Sequence, residues 1–545
     1  MTIAEKIVHL RTMNKISQEE LAKILKISRQ SVSKWESGES VPQLEKIIDI
    51  CNLFKITTDE LLHDEVVIHQ GKKLKVSIGE DIKTKYFGTD GFRGEVNKVL
   101  TSDHAYKIGR FLGWFYSNPK YTGVHPGYRP RVVIGKDTRR SSYMLEYAVA
   151  AGLAASGADV CLLHVTTTPS ISYLIRNDGF DCGVMITASH NPFFDNGIKV
   201  INSNGEKLED AVAYLAEAYI DGNLKKLDIE GNDLPFAERE NIGTINDYTI
   251  GRNRYIAYLI SLAVHSFKGL RVGLDTANGS SWMIARAVFD ALGATTYIIN
   301  NEPNGINVNL NAGSTHIEYL SNYVKENHLD VGFAFDGDAD RCLAVDEHGN
   351  IVDGDKIIYL LANKLKAEGK LNKNTVVTTI MSNSGLTKAL KEIGISNVQT
   401  KVGDRFVYEE MQKSDYSLGG EQSGHIIIRK YATTGDGVLT AIMIIEAMLD
   451  SKSSLHKLTS AVKPLPQVMK NVRVTNKAAV VDDEEVQKAF AEVNKEIGDN
   501  GRAILRQSGT EPVVRIMLEL GSIDECNKYI EYIYNVIKKR GYICE

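Results

Sequence analysis

Cysteine is scarce in this chain, and what there is lies scattered. Cys51, Cys161, Cys182, Cys342, Cys526 and Cys544 are spread over 545 residues without a single CxxC pair. Such spacing offers no disulfide framework, and reduced thiols in a cytoplasm are its simplest account. Long apolar runs are missing too: Met1 to Lys15 mixes charges into its apolar positions, and no run of about 18 apolar residues follows. Secretion and membrane spanning are therefore not expected. Nor is there an excess of one charge. A formal net charge of −5 gives no global attraction to nucleic acid or anionic lipid, so any polyanion site must be a local basic patch. What remains is an ordinary soluble composition, 43% apolar and 24% charged, without short repeats. At about 100 to 200 residues per domain the length calls for three to five domains, and several domains make clefts.

From Met1 to about Leu62 the apolar positions have helical spacing: Ile7 with Leu10, then Leu21, Ile24 and Leu25, then Val32 and Trp35, then Ile47, Ile50 and Phe54. Ser17 with Glu20 three positions on is a capping box, and Ser28 caps the next helix after the short link Lys26-Ile27. This spacing predicts a helix-turn-helix. Asp64 to Thr84 loses the period and reads as a linker, although Glu65 to Gln70 has the makings of a short strand. Beyond Lys85, apolar runs alternate with amphipathic stretches: Val132-Val133-Ile134 before Gly135, Val184-Met185-Ile186 before Thr187, Val272-Gly273-Leu274 before Asp275, and Val331 to Phe335 before Asp336. Alternation of that kind predicts α/β units, whose functional loops sit at the carboxyl ends of strands.

Two such loops carry the chemistry. Asp336, Asp338 and Asp340 alternate with Gly337 and Ala339, so the loop can turn tightly and aim three hard oxygen donors at one point, which suits Mg²⁺. An EF-hand would place Glu347 at its twelfth position, but Arg341 stands where that loop needs glycine; a solvated acidic turn is the plainer alternative. Ser189, in Thr187-Ala188-Ser189-His190-Asn191-Pro192, offers an oxygen that can carry a phosphoryl group, with His190 and Lys199 as proton-transfer groups. Elsewhere such a serine would merely cap a turn. Arg506-Gln507-Ser508-Gly509-Thr510-Glu511-Pro512 with Arg515 joins two guanidinium groups to a glycine-centred turn, a grip for a phosphate that does not react. Gly419 to His425 presents Glu421 and Ser423 from a glycine-bounded loop suited to sugar hydroxyls and an amine.

These motifs, in this order, resemble the α-D-phosphohexomutases. The resemblance runs from Lys85 to the C-terminus and includes Tyr86-Phe87-Gly88-Thr89-Asp90-Gly91-Phe92-Arg93-Gly94 and Gly135-Lys136-Asp137-Thr138-Arg139. The Glu421-Gln422-Ser423 version looks like the hexosamine branch. The resemblance implies four α/β domains around a cleft, the last TATA-box-binding-protein-like, at 85–245, 246–347, 348–460 and 461–545. It implies Mg²⁺ held by Ser189 and the three aspartates, and phosphoserine at Ser189 as the resting form. It further implies exchange through a 1,6-bisphosphate of glucose or glucosamine, which would also serve as activator. By position Arg93, Lys136, Asp137, Arg139, His190, Lys199, Arg341 and His425 are candidates for charge stabilisation and proton transfer. Glu421, Ser423, Arg506, Ser508, Gly509, Thr510 and Arg515 are candidates for binding the phosphosugar.

The first 64 residues, which a typical member lacks, resemble Cro/repressor-type helix-turn-helix domains through Ser17 to Ala22 and Ser28 to Glu36; Lys26 stands where many such turns have glycine. Arg29, Gln30 and Lys34 are candidates for base edges and Gln18 for a phosphate. The segment itself is near neutral, nine Lys and Arg against ten Asp and Glu, so a docking or dimerising module is the alternative to DNA binding. DNA binding would call for a homodimer.

Overall fold

The computed structural model describes residues 2–13, 16–54, 56, 58–62, 84–88, 90–498, 501–508 and 513–544. Most of the linker expected at 65–84 lies outside these residues, as do Thr89, Gly509 and Thr510.

Five helices open the chain: Ile3–Met13, Gln18–Ile24, Arg29–Glu36, Leu44–Phe54 and Thr58–Leu62. Ser17 and Glu20 form the reciprocal capping box, with Glu20 N–H on Ser17 Oγ at 3.1 Å and Ser17 N–H on Glu20 Oε2 at 2.7 Å. Ser28 Oγ accepts from Ser31 N–H at 3.1 Å. Between them Lys26 adopts φ +54°, the left-handed turn for which glycine is the usual choice. Leu21, Leu25, Val32, Trp35, Ile47, Ile50 and Phe54 form the core with Ile7 and Leu10. Ile24 does not join them: it is 49% exposed, while Leu21 and Leu25 on either side of it in the helical period are buried.

Four sheets follow. In the first, the order is Phe87–Gly88, Gly91–Glu95, Asp195–Ile201, Cys182–Ile186, Arg131–Lys136, Asp159–Val165 and Ile245–Asp247. The second runs Ile351–Val352, Cys342–Val345, Val331–Phe335, Arg271–Asp275 and Thr295–Ile299, and so extends past the expected limit at 347. The third has Ser396–Thr400, Thr375–Thr379, Leu418–Gly420 and Ile426–Ile428. The last is antiparallel, with Gln467–Arg473, Val513–Glu519 and Arg502–Gln507 backed by helices Glu484–Ile497 and Ile523–Lys539. Cys182–Ile186 and Val331–Phe335 are buried along their whole length, as the continuous apolar runs require of central strands. Each ends in one of the two chemical loops.

The first domain is held by an unusually close pair of helices, Ser102–Ser117 and Ser142–Ala155. Gly109 and Gly152 make that approach possible: a Cβ on Gly152 would lie 2.1 Å from Tyr106 O, and one on Gly109 2.2 Å from Val149 O. Buried Arg110 crosses beside them and donates to Leu234 O at 2.6 Å and to Ser156 Oγ at 2.7 Å. Gly152→Ala should cost about 1–3 kcal/mol through this overpacking. A lowered first thermal transition in calorimetry is the expected result, and an unchanged one would show that the helices can part freely.

Candidate active site

The Ser189 loop is shaped by the residues beneath it. Asp137, at the end of strand Arg131–Lys136, accepts Thr187 Oγ1 at 2.7 Å, Ser142 Oγ at 2.8 Å and Arg139 Nε at 2.7 Å. Thr187 Oγ1 in turn accepts Ser189 N–H at 2.9 Å. Arg139 spends its remaining donors on the loop's carbonyls: Ser189 at 2.8 Å, Asn191 at 2.9 Å, Asp195 at 3.1 Å, and Pro192. Asp137 and Arg139 thus build the loop from behind. Ser189 itself sits at φ +51°, 1% exposed, with Oγ donating to Asp336 Oδ2 at 2.5 Å.

That contact joins the first domain to the aspartates of the second. Asp336, Asp338 and Asp340 are all buried, and each offers an oxygen within 4.8 Å of the others. Lys199 reaches Asp338 at 2.6 Å and Asp340 at 3.2 Å, while Thr168 Oγ1 donates to Asp338 at 2.5 Å. Burial, with Asp340 and Asp338 beside it, pushes the Asp336 carboxyl well above the carboxylate range. Asp340 is buried as well, but Lys199 and His425 hold it well below that range. Burial disfavours the charge on Lys199; Asp338 and Asp340 reverse this and raise its pKa. Asp338 Oδ1 and Asp340 Oδ1 have no hydrogen-bond partner although fully enclosed. An all-oxygen donor set with buried, unsatisfied carboxylate oxygens fits a hard divalent cation such as Mg²⁺.

Cations and imidazoles surround the pair. His190 Nδ1 lies 3.4 Å from Ser189 Oγ and accepts Arg341 NH1 at 3.1 Å. Burial, then Arg341 and Arg93, lowers its pKa to about 4, so the ring is neutral at pH 7. Arg341 N–H also donates to Asp336 Oδ1 at 3.2 Å. Arg93, on strand Gly91–Glu95, pairs with Asp90 at 3.4 Å, and its Nε is buried without a partner. His425 Nε2 accepts Gly435 N–H at 2.8 Å, which leaves the ring proton on Nδ1, 3.7 Å from Asp340 Oδ1. Asp404, which no motif marked, stands 3.3 Å from Nε2 and binds Lys207 at 2.5 Å. A cavity of about 290 Å³ opens here, lined among others by Asp90, Lys199, Lys207, Asp340, Asp404 and Tyr408.

Lys136 does not join this group. Its amine is buried against Glu146, with His164 Nδ1 at 3.3 Å and the Tyr143 ring at 3.7 Å, on the far side of its strand. Glu421 Oε1 accepts Gly403 N–H at 3.1 Å and its other oxygen faces Ser423 Oγ at 3.4 Å. In the last domain Arg506 and Arg515 stand opposite one another on paired strands, which brings the two guanidinium-bearing side chains to one face of the sheet. Burial and Arg515 together lower the pKa of Arg506. Ser508 follows Arg506, and its carbonyl accepts Lys477 Nζ at 2.7 Å, a third cation that sequence reasoning missed because it lies 31 residues upstream. In the opening domain Arg29, Gln30 and Lys34 are exposed on one helix, whereas Gln18 is partly buried and donates its amide to Glu36 at 2.8 Å.

The comparisons agree with this geometry. Four family models match: Phosphoglucomutase/phosphomannomutase alpha/beta/alpha domain I at 84–226, domain II at 253–349, domain III at 353–465 and the C-terminal domain at 469–536. A Helix-turn-helix model matches 8–61. Phosphoglucosamine mutase of Lachnospira eligens is 57% identical over 458 residues, covering 84% of this chain and 99% of that protein. That of Bacillus subtilis is 46% identical over 454 residues, covering 83% and 98%. Among solved structures, a phosphoglucomutase/phosphomannomutase family protein of Burkholderia thailandensis shares the fold with a TM-score of 0.68 at 21% identity, covering 83% of this chain and 97% of that one. With the motifs in order, the aspartates gathered at Ser189 and near-full-length relatives of one kind, the chain belongs to the phosphoglucosamine mutases, phosphohexomutase isomerases, with a helix-turn-helix domain ahead of the mutase.

Proposed function

We propose that this chain interconverts glucosamine 6-phosphate and glucosamine 1-phosphate in the cytoplasm, with Ser189 as the phosphoryl carrier. The observation that carries the reading is the 2.5 Å contact of Ser189 Oγ with Asp336 inside a buried cluster of three carboxylates. Ser189 passes its phosphoryl group to O1 of glucosamine 6-phosphate: the Oγ–P bond breaks, the O1–P bond forms, and the proton leaving O1 is matched by one gained at the serine oxygen. The 1,6-bisphosphate reorients and returns its 6-phosphoryl group to Ser189 by the reverse exchange. Lys199, Arg341 and Arg93 offset the charge that gathers at the transferring group. Asp336, 2.5 Å from Ser189 Oγ, and His190, neutral at pH 7 and 3.4 Å away, are the two groups beside the serine able to carry a proton. Arg506, Ser508 and Arg515, with Lys477, hold the phosphate that does not react, and Glu421 and Ser423 face the sugar. A Mg²⁺ on Asp336, Asp338 and Asp340 would add positive charge beside the phosphoryl oxygens when bound. Glucose or glucosamine 1,6-bisphosphate would serve as activator by rephosphorylating Ser189.

A second role is carried by the opening domain. Arg29, Gln30, Ser33 and Lys34 make an exposed helix face without an acidic residue, while Glu36, the acid of that helix, is turned inward to Arg11 at 2.5 Å and to Gln18. That face suits the major groove, and a homodimer would present two of them about 34 Å apart. Selection of genomic fragments by the full-length chain should enrich a sequence at low salt and lose it as salt rises. No enrichment would leave the domain as a docking module.

A coupled assay offering glucosamine, glucose, mannose and N-acetylglucosamine 6-phosphates in parallel tests the catalytic reading. Glucosamine 6-phosphate should give the highest kcat/KM; a preference for mannose or glucose would make the enzyme a phosphomannomutase or phosphoglucomutase. Ser189→Ala should lower kcat by about 1000-fold or more and remove a phosphate from the intact mass. Wild-type turnover by this variant would end the mechanism. Asp338→Asn should raise the Mg²⁺ concentration for half-activation by about 10-fold or more, since an amide is a poorer ligand for a hard cation. An unaltered Mg²⁺ titration would move the metal elsewhere.

A further inference from the structure

Ser189 holds a backbone conformation that a residue with a side chain adopts at a cost of roughly 1 kcal/mol or more, and something must keep it there. Its amide is tied to Thr187 Oγ1 and its side chain to Asp336, but the peptide that follows it is gripped through the carbonyl oxygen. Two donors converge on that oxygen at the same distance. Arg139 NH2 comes from the serine's own domain at 2.8 Å, and Asn309 Nδ2 comes from the second domain, also at 2.8 Å. Asn309 Nδ2 further reaches Asn191 O at 3.2 Å, so it spans the whole turn.

Asn309 is built for the place. It is 7% exposed, its own φ is +59°, a conformation that asparagine tolerates well, and its N–H is anchored on Ala277 O at 2.9 Å. Gly337, between the first two metal-loop aspartates, leaves the room: a Cβ there would lie 2.5 Å from Ser189 O and 3.1 Å from Asn309 Nδ2. The second domain therefore touches the serine twice, through Asp336 at Oγ and through Asn309 at the carbonyl. Both contacts come from the second domain, Asp336 from the end of strand Val331–Phe335 and Asn309 from the turn after Thr295–Ile299, so the serine is registered against the carboxylates rather than against its own loop alone.

We infer that Asn309 is a positioning residue for phosphoryl transfer at Ser189, holding the serine in its left-handed conformation, and Oγ at the carboxylates, through a hydrogen bond across the domain boundary. The inference rests on Ser189 being the phosphoryl carrier. Asn309 carries no charge and does not touch Oγ, so its removal should act on the chemical step and leave phosphosugar binding in place. Without it Arg139 alone grips that carbonyl from the serine's own domain, and the turn loses its tie to the second domain, which lets Oγ shift off the line of transfer.

Two full-length variants test this. Asn309→Gly keeps the left-handed backbone free of strain and deletes the amide; Asn309→Asp keeps the shape and replaces the donor by an acceptor facing a carbonyl. Both should lower kcat for glucosamine 6-phosphate by about 100-fold, the scale of a 1 Å misplacement. KM should stay within about twofold and the melting midpoint close to the wild type's. Uptake of phosphate by Ser189 from glucose 1,6-bisphosphate, followed by intact mass, should slow by the same factor as kcat. Wild-type kcat in Asn309→Gly, or a loss confined to KM, would overturn the inference alone. A wild-type chain that takes up no phosphate on Ser189 and turns over no phosphosugar would overturn the underlying reading and the inference with it.

Discussion

Three carboxylates buried within 4.8 Å of one another repel, and the rest of the mutase is arranged to make that tolerable. Were a pair fully ionised at roughly 4 Å and an effective dielectric near 20 it would repel by about 4 kcal/mol, and the Asp336 carboxyl is accordingly pushed well above the carboxylate range. Lys199 meets this from the first domain, with ion pairs to two of the three, and Thr168 adds a hydroxyl to Asp338. Two oxygens nonetheless remain without a hydrogen-bond partner. Folding has thus stored a demand for positive charge at one point, and Ser189 Oγ is held at that point.

Holding it there takes more than one domain. Asp137 and Arg139 shape the serine loop from beneath, Asn309 and Asp336 grip it from the second domain, and Gly337 keeps the space between them open. Arg139 shows how a sequence motif can name the right residue for a different task. Its donors are spent on four loop carbonyls and Asp137, so the guanidinium acts through the loop's shape. The opening domain repeats the pattern on a smaller scale, where Glu36 is used inward, on Arg11 and Gln18, and the outward face is left to Arg29, Gln30 and Lys34.

Much is legible in the sequence, because it rests on local chemistry. Ser17 with Glu20 announces a helix start since both partners lie within one turn. Val184 to Ile186 and Val331 to Phe335 announce buried strands through unbroken apolar runs, and the loops after them can be named from residue type alone. Even the left-handed Lys26 is visible as a non-glycine in a glycine position. Ordered motifs over the mutase span then make the family recognisable.

What tertiary structure decided is which distant atoms meet. Lys136 and Asp137 are neighbours in one motif, but alternation along a strand sends one to Glu146 and the other to the Ser189 loop. Asn309 and Lys477 sit in no motif and become important only because chain folding carries them to Ser189 O and Ser508 O. Ile24 falls on the apolar stripe but stays exposed, while Leu25 next to it is buried, because the neighbouring helices decide which side of the stripe is covered. Periodicity and motifs report what a segment needs from its surroundings. Contacts between residues far apart in the chain depend on sheet order and domain docking, which no local pattern encodes.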